Sequence, residues 1–197
     1  MIARELMTTD LVTVRADTTV KVALTLLDEN DITSLPVVGA GGRIVGVVSE
    51  ADLIRELVGP DPRTHEIPHA EPRDDRPRYV GDVMTSHAIT VHPETDLAVA
   101  VDIATSTGVK SLPVVDDTGK VVGVLSRRDV VRMLARSDDL LEQDIDALLV
   151  SAGEHDWLVE VHDGVAEISG PSGLHDRVIA RVLAASVPGV VEVRLGD

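Results

Sequence analysis

The sequence predicts an α/β (α+β) protein: two β-α-β-β-α repeats related by pseudo-two-fold symmetry, then a small α-β-β-α-β domain. Three observations predict it. Residues 7–57 align with residues 84–134 at a constant offset of 77, without a gap, and 20 of the 51 positions are identical. Apolar residues switch between strand and helix periods at matching places in both copies. The composition is that of a folded chain, 197 residues with 44% hydrophobic and 26% charged. Phe is absent and Trp157 and Tyr79 are the only aromatics, so the cores must be built from Val, Leu, Ile and Ala. A period this long, occurring twice, fits a paired domain rather than a solenoid.

Each repeat opens on a short predicted strand, residues 12–14 and 89–91. Asp17-Thr18 and Glu94-Thr95 then cap apolar-periodic helices over about 19–30 and 96–107. Buried strands follow at 35–38 and 112–115, both within Ser-Leu-Pro-Val-Val, with turns at 39–42 and 116–119. The strands Ile44–Ser49 and Val121–Ser126 lead into second helices starting near Asp52 and Asp129. The domain boundaries expected are 1–60 and 80–137 for the repeats, 61–79 for a linker rich in proline and charge, and 138–197 for the last domain. His65 and His69 stand four apart beside that linker's prolines, Pro60, Pro62, Pro68 and Pro72, which oppose the helix needed to align two metal ligands. Two solvated histidines are the expectation there.

The third segment has its own elements. Leu140, Leu141, Ile145, Leu148 and Leu149 recur at helical spacing behind Asp138 and Asp139 as caps. Alternating apolar residues flank His162-Asp163-Gly164, which predicts a hairpin. A second amphipathic helix over 174–186 stops before Pro188-Gly189, and residues 190–195 form a last strand. Trp157, opening the hairpin, is expected in the core rather than at an interface.

Charge and composition exclude several functions. The net charge is −16, divided as −5 over residues 1–79, −1 over 80–137 and −10 over 138–197. The acidic end would repel phosphate backbones and anionic headgroups, so neither nucleic acid nor a membrane is an expected partner. The absence of cysteine removes disulfides, thiolate metal sites and Cys nucleophiles. There is no apolar run of about 20 residues and no signal-like apolar stretch at the start, so a cytoplasmic protein is expected. P-loop, GxSxG and HExxH patterns are missing, and His87, His92, His155, His162 and His175 fall mostly in turns. The chain is not expected to be an enzyme, and no metal is expected.

The repeated Gly-x-x-Ser-x-x-Asp, Gly46/Ser49/Asp52 and Gly123/Ser126/Asp129, has two readings. Ser and Asp at a strand-to-helix junction can form a capping box. The same groups, beside the free N–H groups of a helix start, can also accept a vicinal ribose diol and meet phosphate oxygens.

Together with Met7-Thr8, Met84-Thr85 and the doubled Ser-Leu-Pro-Val-Val, this pattern resembles a pair of CBS domains over residues 1–137. The resemblance implies a regulatory module that binds adenine nucleotides or related adenosyl compounds between the repeats, with AMP, ADP, ATP and S-adenosylmethionine as candidates. Carried over, one composite site would use Val12, Ile32, Thr33, Val124, Ser126 and Asp129, and the other Ile89, Val109, Lys110, Val47, Ser49 and Asp52. Arg128 is expected to offer donors to a phosphate and Lys110 to reach one, whereas Glu50 would repel it, so the two sites should differ in affinity. The resemblance also implies a homodimer through helix faces, with Val22, Leu26, Val99, Ile103, Leu53, Leu57, Val130 and Leu134 as candidates to serve both core and interface.

Residues 138–197 resemble a BON domain in the order of their elements, in Val-x-Asp-Gly-Val-Ala-Glu-Ile-Ser-Gly and in the closing Pro-Gly-Val-Val-Glu-Val. They depart from it in Pro171 and in their acidity. That resemblance implies a phospholipid- or envelope-associated stress protein with a structural CBS pair, but the charge of −10 opposes an anionic membrane surface, so a domain that passes ligand state to a protein partner is the expectation.

Overall fold

The computed structural model describes residues 1–57 and 76–196, and these fall into two compact units that divide between Ser126 and Arg127. Residues 58–75, with His65 and His69, lie outside the described residues, as does the Leu57 side chain. Among the described residues no helix is long and apolar enough to cross a membrane.

In the first unit, repeat one contributes α1 (Val20–Glu29), β1 (Ser34–Val38), β2 (Ile44–Ser49) and α2 (Glu50–Leu57). Repeat two contributes β3 (Thr85–Ser86), α3 (Leu97–Thr107), β4 (Ser111–Val115) and β5 (Val121–Ser126). The hairpins β1–β2 and β4–β5 are antiparallel and share a register shift, between Val37/Val38 and between Val114/Val115. Leu35, Val37, Val48 and Leu53 bury against Val14, Val20, Ala23 and Leu27 of the first repeat. Each fully buried Leu contributes roughly 1.5–3 kcal/mol.

Several expected elements differ in detail. Residues 12–14 and 89–91 are single parallel bridges, Val14 to Val37 and Val91 to Val114, rather than strands. Here the chain crosses from one sheet to the next, from the Thr8 bridge on β5 to Val14 beside β1 and from Thr85 on β2 to Val91 beside β4. The helix caps fall one residue later than expected. Thr19 Oγ1 accepts from Val22 N, and Asp96 Oδ1 accepts from Ala98 N at 2.8 Å. Thr18 and Thr95 instead accept from Arg15 N and His92 N, tightening the turns before the helices. The second helices begin at Glu50 and Arg127, two residues before the expected aspartates, and at α2 Ser49 takes the cap position. Leu53, a candidate for both core and interface, is fully buried in the core.

The leaders of the two repeats are exchanged. Thr8 pairs with Val124 of repeat two, by two hydrogen bonds of 2.9 and 3.0 Å, while Thr85 pairs with Val47 of repeat one. Ala3 N donates to Thr95 O and Val80 N to Thr18 O, both at 2.8 Å. These contacts map onto their counterparts by the offset of 77. Two pairs lie on the pseudo-two-fold axis itself. Ser34 Oγ and Ser111 Oγ are 2.5 Å apart, and Arg43 bridges Lys120.

The second unit holds α4 (Arg127–Leu134), α5 (Asp138–Ser151), β6 (Leu158–His162), β7 (Val165–Ser169), α6 (Leu174–Ser186) and β8 (Glu192–Leu195). The sheet order is β6-β7-β8, antiparallel then parallel, the parallel pair being joined through α6. Leu141, Ile145 and Leu149 of α5 and Ala180 and Ala184 of α6 share one core with Trp157, Val161, Ala166 and Ile168. Trp157 is thus core, as expected. The hairpin turns on Asp163-Gly164, both at positive φ, 51° and 76°. Ser137, not Asp138, stands at the N-cap of α5. The Asp138 carboxylate accepts from Asp163 N and Gly164 N, both at 2.9 Å, and so ties the helix start to the hairpin turn. Arg136 donates to Pro188 O and to Asp144, joining the end of α4 to α5 and to the loop before β8. Gly189, at φ 105°, lies where a Cβ would sit 2.8 Å from Met133 O.

Candidate ligand site

The first unit carries one set of the expected site residues on β2, on α2 and on the chain leading into β4. Ser49 ends β2 and caps α2. Its Oγ accepts from Asp52 N at 3.3 Å, and Asp52 Oδ2 accepts from Ser49 N at 3.0 Å and from Ser49 Oγ at 2.7 Å. This is a complete capping box. It occupies only one carboxylate oxygen: Asp52 Oδ1 takes no hydrogen bond among the described residues. Ser49 and Asp52 are both half-buried, so the open oxygen stands at a boundary with solvent. Capping and ligand contact are therefore compatible at this junction.

Repeat two closes around it. Thr85 of β3 lies opposite Val47 on β2, and the chain continues through His87, at φ 60°, and Ile89 to Val91 beside β4. Val47 is half-buried and Ile89 is exposed at 42%. Val109, half-buried, and Lys110 precede β4, whose Ser111 meets Ser34 across the axis. Lys110 Nζ forms an ion pair with Glu50 in the first turn of α2. A helix start, a carboxylate with one open oxygen, apolar walls and a lysine thus come from two repeats. Glu50 was read from the sequence only as a repulsive charge. What the sequence did not display is its pairing with Lys110, 60 residues away.

Of the other expected set, Val12 is half-buried between the Thr8 bridge to Val124 and the Val14 bridge to Val37. Ile32, half-buried, and Thr33, exposed, precede β1, and Thr33 O accepts from Glu50 N at 2.9 Å. Val124 is half-buried on β5 opposite Pro113, and Ser126 ends that strand. Arg128 and Asp129 stand in α4, in the second unit. Asp129 is 9% exposed, with Arg132 Nη1 3.6 Å from its Oδ1. Arg136, which fastens α4 to α5 and to the loop before β8, was not singled out in the sequence. A lone arginine after a helix carries no signal of its partners.

With this geometry in view, the CBS-domain family model matches residues 3–59 and 80–136. The CBS domain-containing protein CBSX1, chloroplastic, of Arabidopsis thaliana is 36% identical, over 66% of this chain and 63% of its own length. A CBS domain-containing protein of Dictyostelium discoideum is 29% identical, over 69% of this chain and 92% of its own. The chain thus spans less than two thirds of the plant relative. Among solved structures, CBSX2 in complex with AMP is 33% identical, with a TM-score of 0.53 over 66% of this chain and 93% of that one. The CBS domain pair of protein MJ0100, in complex with 5′-methylthioadenosine and S-adenosyl-L-methionine, is 21% identical with a TM-score of 0.56, covering 68% and 94%. It is a likeness of fold.

Proposed function

This chain belongs to the CBS-domain family, and from that premise we propose that it is a non-catalytic regulatory protein that binds an adenine nucleotide. The observation that carries the reading is the half-used carboxylate of Asp52. Its Oδ2 holds the cap while Oδ1 remains able to accept the two hydroxyls of a ribose. Val47, Ile89 and Val109 supply apolar surface for a base, and Lys110 with the α2 start supplies positive charge for a phosphate. AMP is the first candidate because it is the ligand named for CBSX2, with ADP, ATP and S-adenosylmethionine as further adenosyl candidates. In this reading Arg128 and Asp129, at the start of α4, are the repeat counterparts of Ala51 and Asp52 and serve a second ligand.

The α5-β6-β7-α6-β8 arrangement supports the BON-like reading of residues 138–197. The Arg136 contacts to Asp144 and Pro188 support a signalling route, because they couple the helix that bears Arg128 and Asp129 to the C-terminal sheet domain. A homodimer through α1 and α3 is supported by Val22 and Val99, both about half exposed on those helices.

Calorimetric titration with AMP and with adenosine tests the ligand. Asp52→Ala and Asp129→Ala each remove a charged acceptor from ribose, about 1.5–3 kcal/mol or roughly 10- to 150-fold in Kd at their own site. Arg128→Ala weakens AMP and spares adenosine. Nucleotide affinity unchanged in both aspartate variants, with the fold intact, reduces the repeated motif to helix capping and overturns the reading.

A further inference from the structure

Both helices of the C-terminal domain bury one face against the sheet and leave apolar side chains on the other. On α5 the buried residues are Leu141, Ile145 and Leu149, and the opposite face carries the apolar Leu140, Ala147 and Val150 with the polar Gln143 between them, all exposed. Their spacing of three, four and three residues makes one continuous stripe. On α6 the buried residues are Ala180 and Ala184, and the outer stripe is Leu174, Val178, Val182 and Ala185. Leu174 is 83% exposed and Val182 61%. A helix surface of this kind in a soluble monomer calls for a covering partner.

The charges beside the two stripes are opposite. The α5 stripe is bordered by Asp139 and Asp146, neither of which makes an ion pair or hydrogen bond among the described residues. The α5 sequence has five acidic residues, Asp138, Asp139, Glu142, Asp144 and Asp146, and no basic one. The α6 stripe is bordered by Arg177 and Arg181, two of the three basic residues in 138–197. Arg177 also donates to Gly196 O at 3.1 Å, and Arg181 has no partner among the described residues. The stripes match in length as well, about 15 Å each at 1.5 Å per residue.

We propose that this helical layer docks on a second copy of the chain, α5 of one protomer lying along α6 of the other. A two-fold axis makes both α5–α6 contacts at once, so the association closes at two copies instead of propagating. The apolar stripes bury each other, and the aspartates of one copy face the arginines of the other, which sets orientation and makes the association sensitive to salt. This contact is independent of any ligand and distinct from the α1 and α3 faces.

Sedimentation of the full chain tests it, in a background of Val22→Asp and Val99→Asp that removes the other proposed contact. That background self-associates, and adding Val178→Asp and Val182→Asp weakens it by at least about tenfold. Arg177→Glu with Arg181→Glu, and separately Asp139→Lys with Asp146→Lys, each abolish self-association. Mixing these two charge-reversed chains restores a dimer, since every reversed side then faces a complementary one. A background that is monomeric, variants that sediment unchanged, or a folded mixture that stays monomeric overturns the proposal. Binding of the background chain to phosphatidylglycerol vesicles that is lost with Val178→Asp and Val182→Asp also overturns it, assigning the face to a lipid surface.

Discussion

Repeat one and repeat two follow one backbone plan, yet they meet each other's leader differently. Gly46 on β2 lies under the backbone of β3: an added Cβ would stand 2.7 Å from Thr85 O. Gly123 on β5 lies under the Met7 side chain, with Sδ the nearest atom. The same glycine in the same motif therefore answers a rigid neighbour in one repeat and a pliable one in the other. A second difference lies at the helix starts, Ser49-Glu50-Ala51-Asp52 against Ser126-Arg127-Arg128-Asp129. What the repeats share builds the symmetric frame, and what they do not share sets different charges at the two helix starts.

The largest effect expected from this comparison is at the glycines. Gly46→Ala forces β2 and β3 apart and costs about 1–3 kcal/mol, whereas Gly123→Ala costs less because Met7 can rotate away. Urea denaturation of both variants measures the difference, and equal losses would break the asymmetry. Met7→Ala in the Gly123→Ala background should recover part of that smaller loss.

The axis provides the opposite test, since Ser34 and Ser111 belong equally to both repeats. Ser34→Ala or Ser111→Ala leaves one part-buried hydroxyl without its mate, at about 1 kcal/mol each. The double variant should cost less than the sum of the two. A difference between the single variants would show that the axis is not symmetric in energy.

The smallest effect is at the hairpin turns. Repeat one turns on Gly39–Arg43, with Gly41 and Gly42 at φ 70° and 77°. Repeat two turns on Asp116–Lys120, where the Asp116 carboxylate accepts from Thr118 Oγ1 and from the backbone N–H groups of Thr118 and Lys120. The Thr118 side-chain hydrogen bond, then the Lys120 backbone bond, hold the Asp116 carboxyl below its ordinary value of 3.8. A depressed folded-state pKa adds stability above the unfolded value that is lost as pH falls through the folded one. Asp116→Asn should thus be slightly less stable than the parent at pH 7. The two should converge in acid below the ordinary carboxylate range, as chemical denaturation at both pH values would record. A gap that persists in acid would assign the turn's stability to something other than the carboxylate.

Much of the frame was legible because it depends on local pattern. The strands Ile44–Ser49 and Val121–Ser126 and the helix Leu174–Ser186 lie where alternation and helical spacing put them. The cap that Ser49 and Asp52 form at the start of α2 was legible as well. Asp138 was misread for a physical reason: a carboxylate at a helix start satisfies the nearest free N–H groups, and here those belong to a hairpin turn 25 residues away. Residues 12–14 and 89–91 looked like strands because alternation records a buried face and not the number of ladder bonds.

The sequence by itself determined the doubling, the order of elements, the aliphatic core and the acidic C-terminal domain, because each is written in composition, period or a constant offset. Only the tertiary structure decided that the leaders cross between repeats, that Glu50 pairs with Lys110, and that Arg136 reaches the carbonyl of Pro188. The physical reason is range. Periodicity and capping act over a few residues and leave a trace at a fixed spacing, whereas a hydrogen bond or an ion pair between segments far apart in the chain is set by where the packed elements bring two groups, and that leaves no pattern along the chain.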